Sequence, residues 1–406
     1  MLADLDEQVD LGRLGPALSP LSGTRLERRE RVLAALREVA GRGQERLRPF
    51  LESSRQEGLV RSWEGFAIVN RLLVEATPAG IEALARRPEV AALALESELP
   101  VPSLASQRAG QGETATPGRT SWALEAMGAP AAWARGLDGS GVVVGVIDSG
   151  ASSTHEQLAP GFRGGPKSWL DPDGGSAEPR DTRFGHGTGV LSVAVGRNVS
   201  GYLLGVAPAA RWVACAALPD GRYSNVRVTR CADWMLQTGQ PDVLAVAWVL
   251  PTGGCDRSLR PLVDAWRAAG ILPVFAAGNH GPGERTDRSP ANYEGVLSVG
   301  GLTPEGDVLP ETSRGPSACG AGPFPRLTAP GQDLVAAFPL GRDTYLRARG
   351  TSFAAGIAAG AAALLVQSHP EATVPELETA LGTGRLDLTA ALARLDGIRT
   401  AARSRR

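Results

Sequence analysis

Apolar residues in the second two-thirds of the chain come in short unbroken runs. Val142–Ile147, Trp212–Ala217, Val243–Trp248 and Leu272–Ala276 are each apolar on successive positions, as strands buried on both faces of a parallel sheet must be. Between them, His186–Val195, Asn225–Thr238 and Leu259–Ala269 carry helical spacing. Strands alternating with helices predict an α/β domain: a doubly wound, mainly parallel sheet with helices on both faces. A last apolar stretch, ending near Val366, follows the polar turn Gly350-Thr351-Ser352. It predicts a helix buried in the middle of the domain, too short to span a bilayer. Gly356 and Gly360, four apart, give it a face that another backbone can approach closely.

The first hundred residues read differently. Leu26 to about Leu51 is charged, with Leu33, Leu36, Leu47, Phe50 and Leu51 at helical spacing, and Gly41 and Gly43 predict a break or a bend. Phe66–Val69, Leu72–Val74 and Val90–Leu95 read as strands, and Pro78–Arg87 as a short helix opening with proline. The expected organisation is a loose arm over 1–22, a small α+β domain over 23–98 and a Pro/Ser/Gly/Gln/Thr-rich linker over 99–121. The α/β domain follows over 122–395, and a basic tail over 396–406.

Composition narrows the partners. The 406 residues have room for one large and one small domain, and a net charge of −1 gives no reason to expect nucleic acid or an anionic membrane. The four cysteines, Cys215, Cys231, Cys255 and Cys319, form no CxxC pair and have no histidine at ligand spacing, so no metal site is expected. They permit two disulfides, which spacing alone does not assign. Met1–Glu7 is acidic and lacks the apolar core of a secretory signal. The protein is then cytoplasmic or exported by another route, or extracellular if the true start lies upstream.

Four polar residues stand out because each follows an apolar run or opens a helix, the places where α/β sheets gather their chemistry. Asp148 ends the first buried run. His186 sits in Gly185-His186-Gly187-Thr188-Gly189, Asn279 follows Ala276-Ala277-Gly278, and Ser352 opens the apolar helix. Alone, each is ordinary: a turn aspartate, a capping histidine, an Asx turn, an N-cap serine. Together they fit one reaction. A serine hydroxyl is a weak nucleophile that needs a base, and His186 can take its proton and return it to a leaving amine. Asp148 would orient the imidazole. The Asn279 amide and the Ser352 backbone N–H would hold an oxyanion.

The motifs Asp148-Ser149-Gly150, Gly185-His186-Gly187-Thr188 and Gly350-Thr351-Ser352, in that order, resemble the subtilisin-like serine proteases (peptidase S8), whose established mechanism is the one just set out. The similarity runs from Trp122 to about Gln367 and includes Gly205-Val206-Ala207-Pro208, Ser289-Pro290-Ala291-Asn292-Tyr293, Thr312-Ser313-Arg314-Gly315-Pro316 and Ala329-Pro330-Gly331. Its wording resembles the bacillopeptidase F type. The first domain resembles, by element order and position, the inhibitory propeptide common in the family. The resemblance implies a serine endopeptidase made as a zymogen, acting on polypeptides and inhibited by its own N-terminal domain. It implies no cofactor; family members often bind calcium, but no acidic cluster marks a site. It also implies a substrate cleft walled by Ala247, Trp248, Val249 and Leu250 and by Ala276, Ala277 and Gly278. The chain departs from the family at Gly189 (usually His), at Gly356 (usually Pro) and at Ala245–Leu250, where Asn-Asn-Ser-Trp-Gly-Gly is common. Val249 and Leu250 therefore add bulk beside the peptide. A catalytically weak peptide-binding relative and a serine esterase are the alternatives.

Overall fold

The computed structural model describes residues 1–12, 23–101 and 122–403, apart from 198, 200 and 202. In chain order the N-terminal part contains β1 (Leu2–Leu5), α1 (Arg25–Gln56), β2 (Val60–Phe66), β3 (Arg71–Ala76), α2 (Pro78–Ala85), β4 (Val90–Ala94) and β5 (Glu98–Pro100). The larger part begins with α3 (Trp122–Ala126), α4 (Ala129–Ala134), β6 (Val143–Asp148), β7 (Trp169–Leu170), α5 (His186–Val195), β8 (Arg211–Ala216) and β9 (Arg222–Ser224). It continues through α6 (Asn225–Trp234), β10 (Val243–Val246), α7 (Arg260–Ala268), β11 (Leu272–Ala276), β12 (Leu297–Leu302), β13 (Leu327–Pro330), β14 (Leu334–Ala337) and β15 (Tyr345–Ala348). It ends with α8 (Thr351–Ser368), α9 (Val374–Leu381), β16 (Gly384–Arg385) and α10 (Leu388–Arg403).

Eight strands form one sheet in the order β16-β13-β12-β11-β10-β6-β8-β7, with every neighbouring pair parallel. From β6 the chain runs out to the edge strand β7, returns through β8 and then passes back across β6 to β10, so the winding reverses beside β6. That reversal opens a crevice at the carboxyl ends of β6 and β10, the usual ligand position in an open α/β sheet. All four residues of β10 and all five of β11 are buried, as two-sided coverage by helices requires. Helix α8, expected to be too short to span a bilayer, runs 18 residues and is by length and composition apolar enough to do so, yet it lies inside the molecule, buried from Thr351 through Val366. Its glycines explain how. A Cβ on Gly356 would lie 2.6 Å from the Val190 carbonyl, and one on Gly360 would lie 2.7 Å from that of Ala194. The two glycines let α8 rest directly on the backbone of α5.

The N-terminal part is a four-stranded antiparallel sheet, β2-β3-β1-β4, with α1 packed against it. Several expectations are corrected here. Leu2–Leu5, assigned to a loose arm, is a central strand, with Leu2 opposite Leu73 and Ala94. Phe66–Val69 is not a strand: β2 ends at Phe66 and the following residues turn. Helix α1 is continuous through Gly41 and Gly43. A glycine costs a helix about 1 kcal/mol, which the buried stripe of Val32, Leu33, Leu36, Leu47 and Leu51 outweighs. A capping box starts it, with the Thr24 side chain accepting from the Glu27 N–H and the Glu27 carboxylate accepting from the Thr24 N–H. The basic tail is helical to Arg403 as part of α10. Residues 13–22 of the expected arm, 102–121 of the expected linker and 404–406 of the tail lie outside the described residues.

Both disulfides the cysteines permit are present, Cys215–Cys231 and Cys255–Cys319. The first joins the end of β8 to α6 and so brackets β9.

Candidate active site

Strand β6 delivers Asp148 at its last residue, wholly buried. Its Oδ1 accepts the Ser149 N–H at 2.7 Å and lies 2.7 Å from His186 Nδ1. His186 is the first residue of α5, and the glycines beside it have distinct tasks. Gly185 turns the chain with φ 64°, a conformation L side chains rarely adopt. At Gly187 a Cβ would come within 2.9 Å of the Asp148 Cβ, so only glycine lets the helix start press onto the strand end. An aspartate on Nδ1 fixes the tautomer that leaves Nε2 able to accept a proton.

Ser352 is the second residue of α8, after Gly350 at φ 127°. Its hydroxyl donates to the Ala247 carbonyl at 2.9 Å, on the segment leaving β10. The next residue, Phe353, carries its ring centroid 6.1 Å from that of His186, so the serine and histidine helices meet at their first turns. Asn279 is held by Thr351, whose N–H and hydroxyl both donate to Asn279 Oδ1 at 3.0 Å. The Thr351 hydroxyl in turn accepts the Gly278 N–H at 3.2 Å. With Oδ1 committed to two donors, the Asn279 amide nitrogen is turned the other way and has protons to give. The structure thus brings Asp148, His186, Asn279 and Ser352 to one end of the sheet.

The expected substrate residues form two adjoining walls. Trp248 is buried and anchored by its indole N–H on the Ile147 carbonyl at 2.8 Å. Val249 and Leu250 are also buried, and a Cβ on Gly278 would touch the Val249 Cγ2 at 3.3 Å. The Val249 side chain therefore lies over the Gly278 backbone, between the walls. Backbone groups of the second wall are engaged by the fold itself: Ala277 N–H on the Val299 carbonyl at 2.9 Å, and the Gly278 carbonyl on Ser313 N–H at 2.9 Å. The Leu250 N–H is likewise taken by the Ser289 carbonyl at 2.7 Å.

Three features escaped the sequence reading. Thr351, which orients Asn279, looked like an ordinary residue of a polar turn. Asp181 accepts from both the Thr188 N–H and its hydroxyl, at 2.9 and 2.6 Å, and so ties down the first turn of α5. Burial pushes the Asp181 carboxyl above its usual pKa, and the neighbouring Asp148 adds to the rise. An acid five residues before His186 was the available signal. The third is β9, which pairs antiparallel with β5, setting Glu98 opposite Ser224, Leu99 opposite Tyr223 and Pro100 opposite Arg222. A three-residue strand beside a Pro-Asp-Gly turn gives almost no periodic signal.

A doubly wound parallel sheet with a carboxylate–imidazole pair, a helix-start serine and an oriented amide at its switch point defines a class of α/β protein equipped for acyl chemistry. Comparison makes the class particular. The family model described as the Subtilase family matches residues 139–392, well over half of the chain, and the chain belongs to that family. It is 29% identical over 402 residues to bacillopeptidase F of Bacillus subtilis (strain 168), covering 90% of this chain and 27% of that protein. It is 33% identical over 247 residues to subtilisin E of the same organism, covering 60% of each. The subtilisin of Bacillus pumilus is 33% identical over 247 residues, covering 60% of this chain and 82% of that one. The chain thus spans about a quarter of bacillopeptidase F and three-fifths of subtilisin E.

Proposed function

We propose that the chain is a serine endopeptidase in which Ser352 attacks the scissile carbonyl, His186 carries the proton and Asp148 orients the imidazole. Asn279 and the Ser352 N–H hold the oxyanion of the acyl-enzyme pathway. The observation that carries this reading is the 2.7 Å Asp148–His186 contact at the crevice where Ser352 opens α8. The amide of Asn279, fixed by Thr351, supports its part as the second donor.

The N-terminal part fits an intramolecular inhibitor. Residues 98–100 add a strand to β9, the way an extended peptide adds to an exposed edge. The Val101 N–H continues the pairing onto the Gly221 carbonyl at 2.9 Å, and its side chain is buried. The direction from 98 to 101 leads along β9 toward Leu218, whose N–H bonds the Asp148 carbonyl. The chain is therefore read as a zymogen whose own segment lies along the substrate path. The two disulfides favour an oxidising compartment outside the cytoplasm.

A fluorophosphonate probe and protein length together test the function. Wild type should label at Ser352 and shorten by about 100 residues through cutting near the linker. Ser352→Ala should do neither. Labelling that survives Ser352→Ala, or wild type that digests peptides at full rate while still full length, would sink the corresponding half of the reading.

A further inference from the structure

The two walls of the cleft end beside an arginine. Arg288 forms an isolated parallel bridge with Gly254, and the Ser289 carbonyl next to it takes the Leu250 N–H at 2.7 Å. The Arg288 guanidinium reaches the first wall, where Nη1 donates to the Pro251 carbonyl. It acts on the second wall as well. Burial and, after it, the Arg288 charge push the His280 pKa down to about 4, so His280 is neutral at neutral pH. His280 follows Asn279 directly and lies close to Val249: a Cβ on Gly278 would meet His280 Nδ1 at 3.2 Å and Val249 Cγ2 at 3.3 Å. Residues 249–251, 278–280 and 288 thus border one slot, and Arg288 supplies its charge.

The surroundings fix this cation and leave it without an acid. Asn292 Nδ2 donates to the Gly254 carbonyl at 3.0 Å, and the Cys255–Cys319 disulfide anchors the same loop. Asp287, the neighbour in sequence, is buried and spent elsewhere: its Oδ2 accepts from Asn292 Nδ2 at 2.7 Å and from the Ala318 N–H at 2.8 Å. Glu284 is exposed. Among the described residues Arg288 has no carboxylate partner, and burial is the sole influence on its pKa, which it lowers. A guanidinium carries five N–H donors, and a carboxylate is the group that its fork fits. A partly buried charge gains most from such a partner, because its own solvation is already reduced.

The order of strands says which substrate side chain meets the slot. Across the carboxyl ends stand Gly278 beyond β11, Ala247 beyond β10, and Asp148 at the end of β6 with His186 against it. His186 gives its proton to the leaving amine, so the leaving half of the substrate lies toward β6. The slot lies on the other side of Ala247, where Ser352 is bonded. It therefore faces the half that keeps the acyl carbonyl. Ala247 to Pro251 is four residues, at most about 14 Å of chain, and glutamate spans more of that distance than aspartate.

We propose that this slot binds an acidic side chain through Arg288, glutamate above all, at the residue preceding the cleaved bond, in addition to the slim apolar groups that Val249 and Leu250 admit. The assignment rests on the peptidase reading for cleavage but not for binding.

Peptides that differ only at this residue test it, with Glu, Gln, Asp and Lys in turn. Wild type should cleave the Glu peptide with a kcat/KM about 10- to 100-fold above that of its Gln isostere, the scale of a hydrogen bond to a charged group. Asp should fall between them, and Lys last. Arg288→Gln, which keeps a donor for Pro251, should bring Glu and Gln level. Arg288→Glu should place Lys above Gln, a reversal that a merely structural arginine would not produce. Arg285→Gln removes an exposed cation three residues away and should leave the Glu/Gln ratio unchanged. Melting curves check that the variants fold. The same peptides are titrated onto full-length Ser352→Ala, where the Glu/Gln ratio of dissociation constants reports the slot without chemistry. A tethered segment that competes for the cleft weakens both peptides by one factor and cancels from the ratio. Equal handling of Glu and Gln by wild type, a preference that survives Arg288→Gln, or no binding at millimolar peptide would overturn the proposal. Peptides bound in the expected ratio but never cleaved by wild type would instead defeat the peptidase reading and leave the slot's preference standing.

Discussion

Gly356→Ala examines the link between packing and chemistry at its narrowest point. Gly356 lies one helical turn after Ser352, and the backbone it touches, Val190, lies one turn after His186. A new Cβ would sit 2.6 Å from the Val190 carbonyl and 2.7 Å from Val193 Cγ2, where ordinary contact begins at 3.4 Å. The helices must part by about 0.8 Å. Overpacking of this kind costs about 1–3 kcal/mol, while alanine returns about 1 kcal/mol of helix propensity. The net loss is then about 0–2 kcal/mol, a fall of at most roughly 8 °C in a domain of this size. Turnover should suffer more than stability, because the parting is passed almost directly to the Ser352–His186 pair. A misplacement near 1 Å can cost about 100-fold, so a loss of about 10- to 100-fold in kcat is expected. Gly360→Ala is the control: its Cβ would meet Ala194 O at 2.7 Å, an equal clash, but eight residues or about 12 Å from Ser352. Melting curves and peptide turnover on both variants decide the matter. Equal turnover losses, or an unaltered Gly356→Ala enzyme, would refute the argument that Gly356 sets the catalytic distance.

Three further outcomes follow from the same geometry. Asn279→Ala should keep its melting temperature yet lose about 100- to 1,000-fold in turnover, the range known for this donor in the family; unchanged turnover would remove it from the oxyanion site. Val249→Gly with Leu250→Gly should widen a peptide-library profile that in wild type favours small or slim apolar groups beside the cleaved bond, with some loss of local order; ready acceptance of Phe and Tyr by wild type would defeat this. Burial, aided by the Arg288 charge, pushes His280 down to about 4. Because the folded pKa lies below the unfolded one, its contribution to stability is full above about pH 6.5 and drains away as pH falls toward 4. His280→Gln should flatten that limb of the stability–pH curve, and an unchanged limb would show that another group is responsible.

The sequence announced the parts of the fold that repeat a period. Unbroken apolar runs at Val142–Ile147 and Leu272–Ala276 became β6 and β11, and polar residues at or just beyond their ends, Asp148 and Asn279, fall in the candidate site. It was silent where structure comes from partners distant in the chain. Leu2–Leu5 is too short to show alternation and becomes a strand only between β3 and β4. Gly41 and Gly43 looked like breaks because local propensity does not register the core that α1 covers. Thr351 and Asp181 act by orienting other residues, and such roles follow from direction in space rather than residue type. The cysteines paired as their number allowed, but which with which depended on the fold.

The placement of Leu2–Leu5 bears on how the molecule is made. Every strand of the small sheet lies within residues 2–94, so a ribosome has delivered that sheet complete before Asp148 exists. Ser352 emerges some 250 residues later, and at usual synthesis rates this interval is on the order of tens of seconds. During it the finished small sheet, with the exposed end of α1, is available as a surface on which α6, α7 and the start of β10 can settle as they appear. Ser352, the proposed nucleophile, arrives last. By then the segment read here as its inhibitor has long been in place, so order of birth would keep the nascent chain safe from itself.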